Sequence, residues 1–176
     1  MYLVLMLCIL ALNSLQGEAK FKSLHCNVNE VDYLEVTLCK LKAINRYKNS
    51  ASIHFKLKQE INKATVRLEF FKRANGWKPF LYNISTNLCD FLNNKNNLII
   101  GIFYAYSRPH LAQNYTCPFK KNEVIEMNNF ELDMNQFRNR FPIETGEYAA
   151  HISFIHRQKV IVTFIFTVEY ANYREI

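Results

Sequence analysis

Five histidines, His25, His54, His110, His151 and His156, are the first candidates for chemistry in this chain. A zinc hydrolase would present two of them one helical turn apart with a glutamate between, so that one helix face grips the metal. No such spacing occurs. His54 and His151 instead occupy polar positions of alternating segments, where a solvated imidazole is the ordinary reading. Glu144 and Glu147 flank Gly146. Carboxylate pairs of glycoside hydrolases meet only in space, but two acids in a short loop are explained by solvation. Beyond Gly17 the glycines are Gly76, Gly101 and Gly146, far apart. A Gly-x-Ser-x-Gly elbow, a phosphate loop and a dinucleotide fingerprint all need clustered glycines, so these chemistries are excluded. No catalytic residue, no metal and no cofactor is expected, and the chain does not read as an enzyme.

Cysteine is the remaining reactive residue type. Cys8 falls in the apolar stretch from Tyr2 to Leu12, which is too short to span a bilayer. Polar Asn13 and Ser14 follow, then small Gly17 and Ala19. That order is a secretory signal peptide over residues 1–19, with cleavage after Ala19 and the alternative cut after Gly17. Residues 20–176 then form one domain, secreted and without a membrane span. Cys26, Cys39, Cys89 and Cys117 remain, an even number in an oxidising compartment. Four cysteines allow three connectivities; the pairing expected here is Cys26–Cys39 with Cys89–Cys117. Sequons at Asn83 and Asn114 are expected to carry glycans.

The formal charge of +7 becomes +8 once Glu18 leaves with the signal. Lys and Arg are scattered rather than massed, so nucleic acid is not the expected partner. They read as the solvated faces of amphipathic elements, with attraction to an anionic membrane or acidic partner as the alternative.

Alternation dominates the elements that must position these groups. Ile53, Phe55 and Leu57 interleave with polar residues, as do Val66, Leu68 and Phe70, and Gln59–Lys63 between them reads as a hairpin loop. Phe21–Asn27 and Leu34–Lys42 read as a first strand pair, which would bring Cys26 near Cys39. Tyr148, Ala150, Ile152 and Phe154 alternate, and Val160, Val162, Phe164, Phe166 and Val168 share one face of the last run. A short polar connection, His156–Lys159, suits an antiparallel hairpin. One segment departs from this period: Leu88, Phe91, Leu92, Leu98, Ile99, Ile102, Phe103 and Tyr106 recur at threes and fours. They predict two short helices around an Asn-rich break, ending before Arg108-Pro109.

Asn75-Gly76 is a tight-turn dipeptide. Pro79, which has no N–H to donate, belongs at a strand edge or start. Phe80, Tyr82 and Ile84 then share an inward face, and Asn83 points outward. The fold expected is mainly β: a two-sheet, immunoglobulin-like antiparallel β-sandwich with a short helical insertion around residues 88–107.

RANGWKPFLYNIS at 73–85, NLCDFL at 87–92, CPF at 117–119 and PIETGEY at 142–148 occur in that order. With these pieces the chain resembles a large insect family of secreted proteins labelled a domain of unknown function. That family is similar to the CheB chemosensory proteins and, more distantly, to the ML lipid-recognition superfamily, which includes the ganglioside activators. Trp77 stands where the family often has Tyr, and the Pro142-to-Gly146 spacing is longer than usual. The four cysteines fall at the family's positions. The resemblance implies a sandwich whose sheets splay to admit an apolar ligand, and a chemosensory setting. Phe55, Leu57, Leu68, Phe70, Phe80, Tyr82, Phe91, Phe103, Phe154, Phe164 and Phe166 would line such a cavity, with Trp77 and Lys78 at its mouth. The same side chains would serve equally as a filled core. The leading function is therefore non-enzymatic binding of a hydrophobic small molecule: a lipid, sterol or hydrocarbon signal. The alternative is a secreted interaction module acting on a membrane receptor or channel, using an exposed patch at Ile161, Thr163, Ile165 and Thr167.

Overall fold

The computed structural model describes residues 18–133 and 143–171. Most of the expected signal segment, Cys8 included, and Pro142 lie outside the described residues. Eight strands are named among them: β1 (Glu18–Val28), β2 (Leu34–Ala43), β3 (Asn49–Leu57), β4 (Thr65–Ala74), β5 (Gly76–Asn87), β6 (Val124–Glu131), β7 (Gly146–His156) and β8 (Lys159–Ala171). Two helices, α1 (Leu88–Asn94) and α2 (Leu98–Ser107), follow β5. The strands form two antiparallel sheets, one of five in the order β1-β8-β7-β4-β5 and one of three in the order β2-β3-β6. This is the β-sandwich with a helical insertion that the patterning implied.

Two connections differ from the sequence reading. β1 pairs with β8 and β2 with β3, so the first two strands lie in opposite sheets. Cys26–Cys39, with Cα atoms 6.3 Å apart, therefore ties sheet to sheet rather than strand to neighbour. Likewise β3 and β4 do not form a hairpin. Ile61, buried between them, bridges Phe119 in both backbone directions at 2.9 and 3.0 Å, and this apolar anchor carries the chain from one sheet to the other. Asn49 adds a second link between layers. Its Oδ1 accepts from Phe21 N at 2.9 Å and its Nδ2 donates to Phe21 O at 2.8 Å, satisfying a backbone pair beside the β1 bulge. A buried peptide left unpaired there would cost about 1–3 kcal/mol.

Arg157 and Gln158, both at positive φ, make the two-residue turn between β7 and β8 without a glycine. β5 is an edge strand, which is why Pro79 is tolerated in it. Gly76 takes φ +91° at the β4–β5 turn, a conformation that L side chains rarely adopt. Asn87 and Asn97 cap the two helices through their side-chain oxygens, at 3.1 and 3.0 Å from Asp90 N and Ile100 N. The Asn-rich break is thus a cap as well as an interruption. Within α2 the inward stripe is rotated relative to expectation: Ile100 is buried while Leu98 is 79% exposed. Of the expected patch on β8, Thr163, Ile165 and Thr167 remain partly exposed, whereas Ile161 does not. Ile161 is buried, because a bulge opposite Phe154–Ile155 turns it toward the interior. Thr163 and Thr167 are hydrogen-bonded to Ser153 and Ser23 at 3.1 and 2.9 Å.

The second disulfide, Cys89–Cys117, holds α1 to the loop before β6. Replacing both Cys26 and Cys39 by Ser should destabilise the fold by about 3 kcal/mol, the entropy of releasing a short loop, read as a lower urea midpoint under non-reducing conditions.

Candidate functional site

The two layers are unequal in width, and the helices cover what the narrow sheet leaves bare. Phe91 and Ile100 pack on Val66 of β4, and Ile99, Ile102 and Phe103 gather near Tyr82 and Tyr148. Between the five-stranded sheet, the three-stranded sheet and the helices lies a cavity of about 400 Å³. All eleven side chains anticipated for its wall face it. Alternation along β4, β7 and β8 aims Leu68, Phe70, Ile152, Phe154, Phe164 and Phe166 to the same side. Wall rings contact one another around the space: Phe55 with Phe164 at 5.6 Å, Phe70 with Phe103 at 5.0 Å and, within the helical cover, Phe91 with Tyr104 at 5.6 Å. Yet Phe55, Phe70, Phe103, Ile152 and Phe154 are only half-buried although they point inward. Rings that interdigitated as a filled core would be covered; these border a void.

Among the described residues no charged side chain lines the cavity. Three of its phenols are turned outward to the backbone. Tyr106 Oη donates to Glu131 O at 2.8 Å and accepts from Asp133 N; Tyr148 Oη donates to Glu144 O at 2.8 Å; Tyr115 Oη accepts from Glu126 N at 2.8 Å. Ser107 Oγ likewise donates to Tyr104 O at 3.1 Å. Burial pushes the Tyr115 phenol up and the Tyr106 phenol up to about 12.

The cavity reaches the surface at Leu81, 45% exposed and part of the wall. Here β5 bulges, so that Phe80, Leu81 and Tyr82 stand opposite Phe70 alone, and Leu81 takes φ +58°. The bulge is what lets three consecutive side chains contribute to one wall. Trp77 is not at this mouth. It pairs with Arg73, whose guanidinium lies 5.2 Å over its ring, and neither residue lines the cavity. Alternation from Pro79 puts Trp77 on the opposite face of the hairpin. Lys78 does not line the cavity either, but it shares the inward face and stands directly opposite Lys72. Sequence reasoning missed Lys72. Its ammonium pairs with Glu144 at 2.8 Å and lies 5.9 Å from the centroids of both Phe80 and Tyr148, two wall residues. Hydrogen bonding to Glu144 raises the Lys72 pKa, and the same contact lowers that of Glu144.

The remaining candidates lie elsewhere. Among the described residues no group of three His, Cys, Asp or Glu is placed to hold a metal ion. His151 stacks on Phe71 at 4.6 Å on the outer sheet face, where burial lowers its pKa. His54 meets Asn128 at 2.7 Å, and buried His156 donates from Nδ1 to Lys63 O at 2.6 Å. Glu147 bonds Lys22 rather than Glu144, so the two acids around Gly146 make no pair. Asn83 and Asn114 are both exposed.

Residues 66–150 match the family described as "Protein of unknown function (DUF1091)". Among solved structures the chain is similar to chicken MD-1, in a crystal structure of its complex with lipid IVa. The TM-score is 0.40 at 10% identity, over 88% of this chain and 99% of that one. It is also similar to a Niemann-Pick type C2 protein from the Japanese carpenter ant, with a TM-score of 0.33 at 13% identity over 88% and 92% of the two chains. No curated protein matches.

The Tyr106 proton is held more tightly folded than unfolded. Its contribution to stability is therefore complete below the ordinary phenol pKa of about 10 and is lost as pH rises through about 12. Urea midpoints measured from neutral to strongly alkaline pH should fall less steeply in Tyr106→Phe than in the unaltered protein.

Proposed function

We propose that this protein is a secreted, non-enzymatic binder of a hydrophobic small molecule held in the cavity between its layers. The single observation that carries the reading is a void of about 400 Å³ whose wall, among the described residues, holds no charged side chain. That volume lies in the range of small-molecule sites. An apolar void also has an energetic consequence. At roughly 24 cal/mol per Å³, leaving ≈ 400 Å³ unfilled would cost on the order of 10 kcal/mol, comparable to the net stability of a whole domain. A lipid, sterol or hydrocarbon removes that penalty, and each buried Å² of its surface contributes roughly 25 cal/mol.

Two disulfides and the exposed sequons Asn83 and Asn114 support an extracellular setting, with both asparagines glycosylated. The resemblance to insect secreted proteins supports a chemosensory one, in which the loaded protein would meet a membrane receptor or channel. The first strand bears on maturation. Ala19 is buried, pairs with Tyr170 and joins its apolar cluster. Cleavage after Gly17 preserves that pairing, whereas cleavage after Ala19 deletes it. The mature chain is accordingly expected to begin at Glu18, and intact-mass analysis of deglycosylated, secreted protein would check this. Finding Lys20 at the terminus would contradict it.

The binding reading is tested by delipidating the protein and titrating it with fluorescent fatty-acid and sterol probes. At least one probe should be taken up. Ala150 faces the cavity, and Ala150→Phe should fill the space and weaken uptake at least ~10-fold, with unchanged circular dichroism. Failure of every probe, or full uptake by Ala150→Phe, would overturn the reading.

A further inference from the structure

The cavity has a chemically distinct end, and it restricts the kind of ligand that fits. Along the wall, the hydroxyls of Tyr106 and Ser107 donate to backbone oxygens and that of Tyr115 receives a backbone N–H. Among the described residues the wall offers a ligand's polar head no charged partner. At the β4–β5–β7 end the situation reverses. Lys72 of β4 and Lys78 of β5 stand opposite each other on the inward face, immediately past Phe70 and Phe80. Like charges directly opposite on a sheet repel, so the position favours an anion between or above them. The acid found there is Glu144, from the loop leading into β7. Its side chain is 80% exposed, and it touches Lys72 through one carboxylate oxygen. An exposed ion pair of this kind contributes little net stability and opens readily.

Lys72 is less exposed than its partner, with 32% of its side chain accessible against 80% for Glu144. Its ammonium sits equidistant, at 5.9 Å, from the rings of Phe80 and Tyr148, attracted by both π faces. Both rings belong to the cavity wall. The cation is thus positioned where a tail leaving the cavity would present its terminal group.

We propose that Lys72, assisted by Lys78, receives the anionic head of an amphipathic ligand whose hydrocarbon tail fills the cavity, the head displacing Glu144. This rests on the cavity-binding reading and narrows it to acids, either carboxylate or phosphate monoester, over neutral hydrocarbons, alcohols and sterols. Glu144 then acts as a stand-in for the ligand, keeping Lys72 neutralised while the cavity is unfilled.

The test compares palmitate, hexadecyl phosphate and hexadecanol, which share a tail and differ in the head, on delipidated protein by competition against a fluorescent probe. The wild type should prefer an acid over the alcohol by about 10-fold, the usual gain from a charge-assisted contact. Lys72→Gln should abolish that preference while leaving hexadecanol affinity unchanged. Glu144→Gln, which removes the competing carboxylate, should tighten acid binding by about 3-fold. The Glu144 side chain is exposed, so this variant keeps the test independent of any folding defect in Lys72→Gln. Whether palmitate or hexadecyl phosphate shows the larger Lys72-dependent gain identifies the head. Equal affinities for acid and alcohol, or an acid preference that survives Lys72→Gln, would overturn the proposal with cavity binding intact. Binding of none of the three would overturn the proposal, and failure of the sterol probes as well would remove the cavity-binding reading with it.

Discussion

Five strands face three, and nearly everything else in the molecule follows from that inequality. A sheet with one apolar face must bury it against another layer. Here β1 and β8 find the narrow sheet opposite them, whereas β4 and β5 reach beyond it. The helical pair α1–α2 closes over the excess, with Phe91 and Ile100 against Val66. A helix pair and a sheet have different thicknesses and surface shapes, and the junction leaves inward rings without full contact. The void is thus a product of architecture and not of small residues: its wall is rich in Phe, Leu and Ile.

Such a void persists only if the layers cannot slide together to fill it. Cys26–Cys39 joins β1 to β2, and Asn49 bonds the Phe21 peptide across the same gap. Both links stand at the closed side, where Phe21 packs on Phe130 and Phe166 at 5.9 and 5.7 Å. Cys89–Cys117 fixes the helical cover to the loop before β6. The opposite side, around the β5 bulge, carries no covalent tie among the described residues, and it is there that the wall reaches solvent at Leu81. Rigid closure at one end and an apolar opening at the other suit a container for a small molecule.

The placement of polar groups follows the same division. Tyr106 and Tyr115 present rings to the cavity while their oxygens reach the backbone behind, because an unpaired hydroxyl in an apolar enclosure is costly. Charges are kept to the rim, where Lys72 and Glu144 remain hydrated enough to ionise. On the outer face of the wide sheet, Ser23, Thr167, Ser153 and Thr163 form hydrogen bonds across neighbouring strands. Of the aliphatics expected on that face, Ile161 turns inward at its bulge and Ile165 stays half-exposed.

Much of this was legible in the residues themselves. Period-two alternation in β3, β4, β7 and β8 marked the strands and their inward faces, and the same side chains line the cavity. The shift to spacings of three and four marked α1 and α2, and Pro79 marked an edge. β6 was not legible. Asn128 and Asn129 bulge opposite Ser52, with Asn129 at positive φ, and an extra residue destroys the alternation that would have disclosed it. Pairing was misread for β1 with β2 and for β3 with β4, because alternation reports which way a side chain points and carries no information about which sheet a strand joins. Lys72 was passed over for a similar reason: in sequence it is one more cation at a polar-looking strand end. Only the register that sets it opposite Lys78 and near Tyr148 gives it a role. By itself the sequence determined direction, inward or outward, since local sterics impose a period of two or 3.6 on every strand and helix. Whether the inward rings met or stood apart was decided by the tertiary structure, because the gap between layers depends on strand count, crossovers and cover, which are contacts between residues distant in the chain.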